Sequence, residues 1–129
     1  MNALESRTPY ELLGGEPAVR RLAQRFYDLM DTNGSMAELR AMHASDLGPM
    51  REKLFDFLSG WLGGPARYFE RPDRQCMGSV HAAYRIGELE RGQWLGCMSQ
   101  ALAELEADAA TVRLIEVALG RMTEAMRNA

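Results

Sequence analysis

Histidine, lysine and cysteine are all scarce in this sequence, and each scarcity narrows what the chain can do. Only two histidines, His43 and His81, occur in 129 residues. No second histidine, cysteine or carboxylate stands three or four residues from His81, so a zinc site there would lack its local pair of ligands. Cys76 and Cys97 form no CxxC or other metal-ligand spacing, which leaves them as reduced packing residues. A thiol-based redox function is disfavoured for the same reason: no basic cluster or resolving cysteine lies close in sequence to lower a thiol pKa. Lys53 is the only lysine among 15 basic residues, and the formal net charge is -3. With no concentrated basic face, nothing calls for nucleic acid as a partner. No apolar run reaches the roughly 20 residues that span a bilayer, so no membrane segment is expected. The opening MNALESRTPYELL carries no basic region followed by an apolar core, and the sequence therefore predicts a cytoplasmic protein. Period-two runs of β-branched residues are missing as well, which argues against a sheet. There is no internal repeat.

What is present is helical. The composition, 47% hydrophobic and 26% charged with five prolines, is that of a globular chain, and its length predicts one domain over residues 1–129. From Pro17, PAVRRLAQRFYDLMD places Val19, Leu22, Phe26 and Met30 on one helical face, and Asp31 to Gly34 ends it. After Pro49, MREKLFDFLSGWL presents Met50, Leu54, Phe57, Leu58 and Trp61 and stops at Gly63-Gly64-Pro65. The stretch from Arg71 to Gly78 reads as a loop by composition. After Gly87, residues 88–107 put Leu95, Met98, Leu102 and Leu105 on one face, with Trp94, Cys97 and Ala101 beside it. Residues 111–128 repeat the pattern through Ile115, Leu119, Met122 and Met126. An all-α chain of four substantial helices plus short pieces follows. Two glycine pairs, Gly14-Gly15 and Gly63-Gly64, flank helices where the chain must turn sharply.

A single histidine is enough for one kind of cofactor. Haem needs one neutral imidazole on one side of its iron, because the porphyrin supplies four bonds, and the other side stays open to a small gas. The pieces YELLGG, RFYDLM, LRAMHASDL, LFDFLSGWLGGPARYFE, HAAYRIG and ERGQWLGCM resemble, in order and spacing, the truncated haemoglobins of the second group. The similarity runs from about Tyr10 to about Met98, and the last helix matches by pattern alone. Taken singly, Tyr27, His43, Met50, Leu54 and Trp94 are residues that a haem-free helical core would also use. The ordered set RFY, FLxxWxGGP, HxxxxI and WLxCM is what makes the resemblance specific.

The resemblance implies a truncated globin fold, a two-over-two helical sandwich around a haem pocket, holding haem b (iron protoporphyrin IX). On that basis His81 is the proximal iron ligand. Tyr27, His43, Met50, Leu54 and Trp94 face the distal ligand, with Tyr27 giving a hydroxyl, Trp94 an indole N–H and neutral His43 one N–H. Where the family commonly has arginines before the proximal histidine, this chain has the uncharged Met77-Gly78-Ser79-Val80. Propionate anchoring then falls first on Tyr68, with Arg51, Lys53, Arg67, Arg74 and Arg85 as further candidates. Phe57, Met77, Tyr84 and Ile86 are the remaining expected cofactor contacts, Tyr84 standing where the family has phenylalanine. The implied function is reversible binding of O2, CO, NO or related diatomics, extending to nitric oxide dioxygenase-like or peroxidase-like turnover with a reductase as electron source. The alternative is a globin-fold sensing or protein-interaction module with weak or no haem binding. Monomer and homodimer both stay open.

Overall fold

The computed structural model describes residues 7–74 and 77–129, with residues 77–79 described through their backbone alone. Every regular element among them is helical. In chain order these are α1 (Pro9–Leu13), α2 (Gly15–Thr32), α3 (Ala37–Ala41), α4 (Gly48–Trp61), α5 (Arg67–Glu70), α6 (Met77–Ala82), α7 (Glu88–Ala103) and α8 (Ala109–Met126), with a short 3-10 turn at Gly34–Met36. Helix α2 packs on both α4 and α7, and α7 packs on α8, so two helix pairs lie against each other as a sandwich.

Local chemistry sets the ends. Thr8 and Glu11 form a reciprocal capping box on α1, each side chain accepting from the other's backbone N–H at 3.2 Å. The Asn33 side chain accepts from the Ser35 N–H at 3.1 Å just past α2. Pro49 occupies the first turn of α4, where a missing N–H costs nothing. The Asp108 carboxylate accepts from the Thr111 N–H at 3.1 Å and opens α8.

The apolar stripe of α2 is the centre of the core: Val19 and Phe26 are 0% exposed and Leu22 and Met30 1%. From α4 come Phe55 and Leu58, and from α7 Cys97, Met98 and Leu102. Two boundaries differ from the sequence reading. Helix α7 ends at Ala103 rather than running on to 107, because the chain turns there and Glu106 adopts a left-handed φ of 56°. The expected loop from Arg71 to Gly78 is already helical from Met77, since glycine and proline counts mark breaks but do not locate the first turn after them.

The second glycine pair acts through space more than through torsion. Gly63 has a φ of 95°, and a Cβ on Gly64 would lie 2.5 Å from the Tyr10 ring. The Tyr10 N–H also donates to the Leu62 carbonyl at 2.9 Å, so α1 sits directly on the end of α4. We expect Gly64→Ala to push the Tyr10 ring off this seat and to destabilise the chain by about 1 to 3 kcal/mol. A lowered midpoint in thermal unfolding checks this, and an unchanged one contradicts the packing.

Candidate functional site

Between the two helix pairs lies a cavity of about 440 Å3, within the roughly 300 to 1,000 Å3 of small-molecule sites. Its wall draws on α2 to α8 and the loops between them. Tyr27, His43, Met50, Leu54 and Trp94 all line it, as does His81. Residues far apart in sequence, from Tyr27 on α2 to Met126 on α8, therefore meet in one place. Lys53, Phe57, Tyr68, Tyr84 and Ile86 line the same cavity.

One wall of the cavity is a fixed aromatic group. Phe26, wholly buried, stacks edge-on to Tyr27 with centroids 4.9 Å apart and lies 5.1 Å from Trp94. Packing on one shared ring sets the spacing between the phenol and the indole. The Tyr27 and His43 rings meet at 5.9 Å, again edge-on. Tyr27 is 4% exposed. Burial pushes its phenol above the ordinary tyrosine range, with Arg51 pulling the other way, so the hydroxyl keeps its proton.

His43 is held by backbone on every side. Arg40 donates to the carbonyls of Ala44 and Ser45 at 2.9 and 3.0 Å and pairs with Asp31 at 2.9 Å, fixing the turn after α3. Gln93, buried on α7, accepts from the Leu39 N–H and donates to the Ser35 carbonyl, both at 2.9 Å. The Leu39 carbonyl then lies 2.9 Å from His43 Nδ1. A carbonyl can only accept, so Nδ1 carries the hydrogen and the neutral ring keeps a lone pair on Nε2. This corrects the expectation of a distal N–H donor at His43: its one neutral N–H is spent on Leu39, and the ring offers an acceptor instead.

Burial also holds the His43 imidazole below its ordinary value of 6.5; the Leu39 hydrogen bond opposes the shift, while Arg40 and His81 reinforce it. The unfolded chain therefore binds more protons than the folded one just below pH 6.5, and stability falls as pH drops through that window. We expect the urea midpoint to fall between about pH 7 and about pH 5.5, and to fall less steeply in His43→Gln. Parallel curves for the two chains would place the titration elsewhere.

The rim is cationic but partly neutralised. Lys53, Arg71 and Arg74 line the cavity beside Asp73. Arg71 pairs with Asp56 at 2.6 Å and with Asp73 at 3.1 Å, and hydrogen bonding from that guanidinium lowers the Asp73 carboxyl below its usual range. Tyr68, 8% exposed, meets Phe57 edge-on at 5.9 Å.

Three expected cofactor contacts lie elsewhere: Arg85 is exposed and does not line the cavity, and two others are engaged on other faces. Arg51 donates to the Gln24 carbonyl at 2.8 Å and pairs with Asp28 at 2.9 Å, on the α2 side of α4. Arg67 stands over the Phe55 ring at 5.5 Å and reaches Glu16 at 3.6 Å. Neither lines the cavity, because Arg51 falls on the core-facing side of α4 with Phe55, while Lys53 falls with Met50, Leu54 and Phe57. The Met77 side chain and Cys76 lie outside the described residues. Cys97 is 1% exposed, and burial pushes its thiol up, away from thiolate chemistry. The sequence reading missed Arg71 and, on α8, the cavity positions of Met122, Thr123 and Met126.

Among the described residues no three His, Cys, Asp or Glu side chains converge to hold a metal ion by themselves. The cavity instead supplies one imidazole from α6, apolar walls and a cationic rim. This donor set fits a cofactor that brings its own metal ligands in a flat apolar body and carries carboxylates. No helix among the described residues is long and apolar enough to cross a membrane.

Comparison with known proteins agrees with the fold. The model of the family described as bacterial-like globin matches residues 8–128. The chain is similar to Group 2 truncated hemoglobin YjbI of Bacillus subtilis (strain 168), at 31% identity over 94 residues, covering 73% of this chain and 68% of that protein. In structure it is similar to the group II 2-on-2 hemoglobin of Agrobacterium tumefaciens, with a TM-score of 0.91 at 37% identity, covering 98% of both chains. It is also similar to the cold-adapted truncated hemoglobin of Pseudoalteromonas haloplanktis TAC125, with a TM-score of 0.90 at 33% identity over 95% of this chain and 99% of that one.

Proposed function

The chain belongs to the bacterial-like globin family, whose fold implies a haem cofactor, and from that premise we propose that it holds haem b through His81 and binds O2 and other diatomic gases at the opposite side. The observation that carries this reading is the convergence of His81, Tyr27 and Trp94 on one apolar cavity of about 440 Å3. When bound, the haem would supply an iron able to take up a small gas.

The chain's own residues do the rest. His81 would hold the haem iron through one imidazole nitrogen. Tyr27 and Trp94 donate an O–H and an N–H into a water-poor space, where a polar ligand such as oxygen gains charge-assisted hydrogen bonds that an unpolarised one does not. Met50 and Leu54 keep that space apolar. Lys53, Arg74 and Tyr68 are the groups for the propionates, together with Arg71, whose charge is shared with Asp56 and Asp73.

A second reading, peroxidase-like or nitric oxide turnover with a reductase, draws on one observation: neutral His43 keeps an acceptor nitrogen at the cavity, where a distal base belongs. Gas titration of the reduced, haem-loaded chain tests the first reading. Saturable spectral changes with carbon monoxide, oxygen and nitric oxide, one equivalent per haem, are expected. A reduced spectrum that none of the three gases alters contradicts it.

A further inference from the structure

The segment after α8 folds back on the loop that follows the proximal helix. The Asn128 side chain brackets that loop: its Nδ2 donates to the Tyr84 carbonyl and its Oδ1 accepts from the Ile86 N–H, each at 2.7 Å. The backbone joins in, as the N–H groups of Asn128 and Ala129 both donate to the Ile86 carbonyl, at 2.9 and 3.1 Å. An asparagine amide has one donor face and one acceptor face, the same pair that a peptide unit offers. Asn128 thus pairs with the loop as a short piece of strand would.

The loop has little else to locate it. Ala82, Ala83, Tyr84 and Arg85 are exposed, so apolar burial contributes little to their position. Yet the loop is tied directly to the proximal residue: the Tyr84 N–H donates to the His81 carbonyl at 3.1 Å. A continuous relay therefore runs from α8 through Asn128 and Tyr84 to the backbone of His81. Tyr84 and Ile86 line the cavity, as do Met122 and Met126 near the α8 end of that relay. α6 itself spans six residues, Met77–Ala82, and packs on α8. A helix this short, with Gly78 inside it, does not fix its own place.

We propose that Asn128 is a positioning residue for the proximal imidazole, setting the seat of His81 and with it how firmly the chain retains haem. The proposal rests on the reading of His81 as the axial ligand. An exposed bracket of this kind adds little to global stability, because water satisfies the same groups when it opens. Its effect falls on geometry at His81.

The test compares the haem-loaded full chain with Asn128→Ala and with Arg127→Ala. The second variant removes the neighbouring ion pairs to Glu88 at 2.7 Å and Glu124 at 3.6 Å and the hydrogen bond to the Ala129 carbonyl at 3.3 Å, and keeps the Asn128 side-chain bonds to Tyr84 and Ile86. Two readouts are taken: haem transfer to excess apomyoglobin, and the iron–histidine stretching band of the reduced protein by resonance Raman. Asn128→Ala is expected to lose haem about two- to fivefold faster, the small effect that two exposed hydrogen bonds warrant, and to shift or broaden the band. Arg127→Ala is expected to match the unaltered chain. Equal haem loss in all three, or equal acceleration in both variants, overturns the proposal. An unaltered chain that takes up no haem overturns the underlying reading, and the proposal with it.

Discussion

Replacing His81 with glycine is expected to abolish the sharp Soret band of the reduced, haem-loaded chain, and added imidazole is expected to restore it. The cavity holds two histidines, and they are not equivalent. His43 has its Nδ1 committed to the Leu39 carbonyl and is wedged by Arg40 and Gln93 through the backbone around it. It sits edge-on to Tyr27 at 5.9 Å, within the aromatic group of Phe26, Tyr27 and Trp94. His81 is the imidazole that stands on a separate short helix, α6. Glycine leaves room for free imidazole to take its place without a tether. Absorption spectra of His81→Gly with and without imidazole check this. A sharp, unaltered band in the variant without imidazole would move the axial role to another residue.

The Tyr27→Phe variant is expected to release oxygen about ten- to a hundredfold faster, since a hydrogen bond to a charged acceptor contributes about 1.5 to 3 kcal/mol and each 1.4 kcal/mol is about tenfold. Carbon monoxide release should change far less, because that ligand gathers little charge for a donor to meet. Two observations support the size of the effect. Tyr27 is 4% exposed, so no competing solvent dilutes its hydrogen bond. Burial keeps the phenol protonated, so the donor is present throughout the working pH range. Since His43 spends its neutral N–H on Leu39, Trp94 would be the donor that shares the bound oxygen with Tyr27. Stopped-flow displacement of oxygen by carbon monoxide measures the rates. An unchanged oxygen rate in Tyr27→Phe would assign the hydrogen bond to Trp94.

The helices were legible because their apolar residues recur at the helical period and their ends carry caps. Val19, Leu22, Phe26 and Met30 were expected on one face and are all buried to 1% exposure or less. The same period could not separate core from cavity. On α4 the residues read as one apolar stripe differ in burial: Leu58, 1% exposed, joins the core to the cavity wall, whereas Met50, Leu54 and Phe57 are half-buried and line the cavity. Phe55, which the pattern passed over, is a core residue at 1%. Met122 and Met126 were read as ordinary helix packing for the same reason, since a wall around a ligand and a wall around other side chains use the same residue types.

The polar part of the site was less legible. Arg51 and Lys53 are two residues apart, about 200° around a helix, so one turn of arithmetic would have set them on opposite faces. Nothing local marks Arg71, which reaches the cavity from the stretch after α5 by pairing with Asp56 on α4. Nor does the sequence show which nitrogen of His43 bears the proton, because that depends on where one carbonyl of α3 points. The Asn128 bracket depends on the return of the chain after α8, a contact 42 residues away in sequence.

The central claim is that one cavity of this chain holds one haem. Titration of the haem-free protein with haemin, followed by reduction and exposure to carbon monoxide, tests it most directly. The account predicts a sharp Soret band that saturates at about one haemin per chain and shifts on adding the gas. A broad band resembling free haemin, rising without saturation and unmoved by carbon monoxide, would contradict it and favour a globin fold that acts without haem.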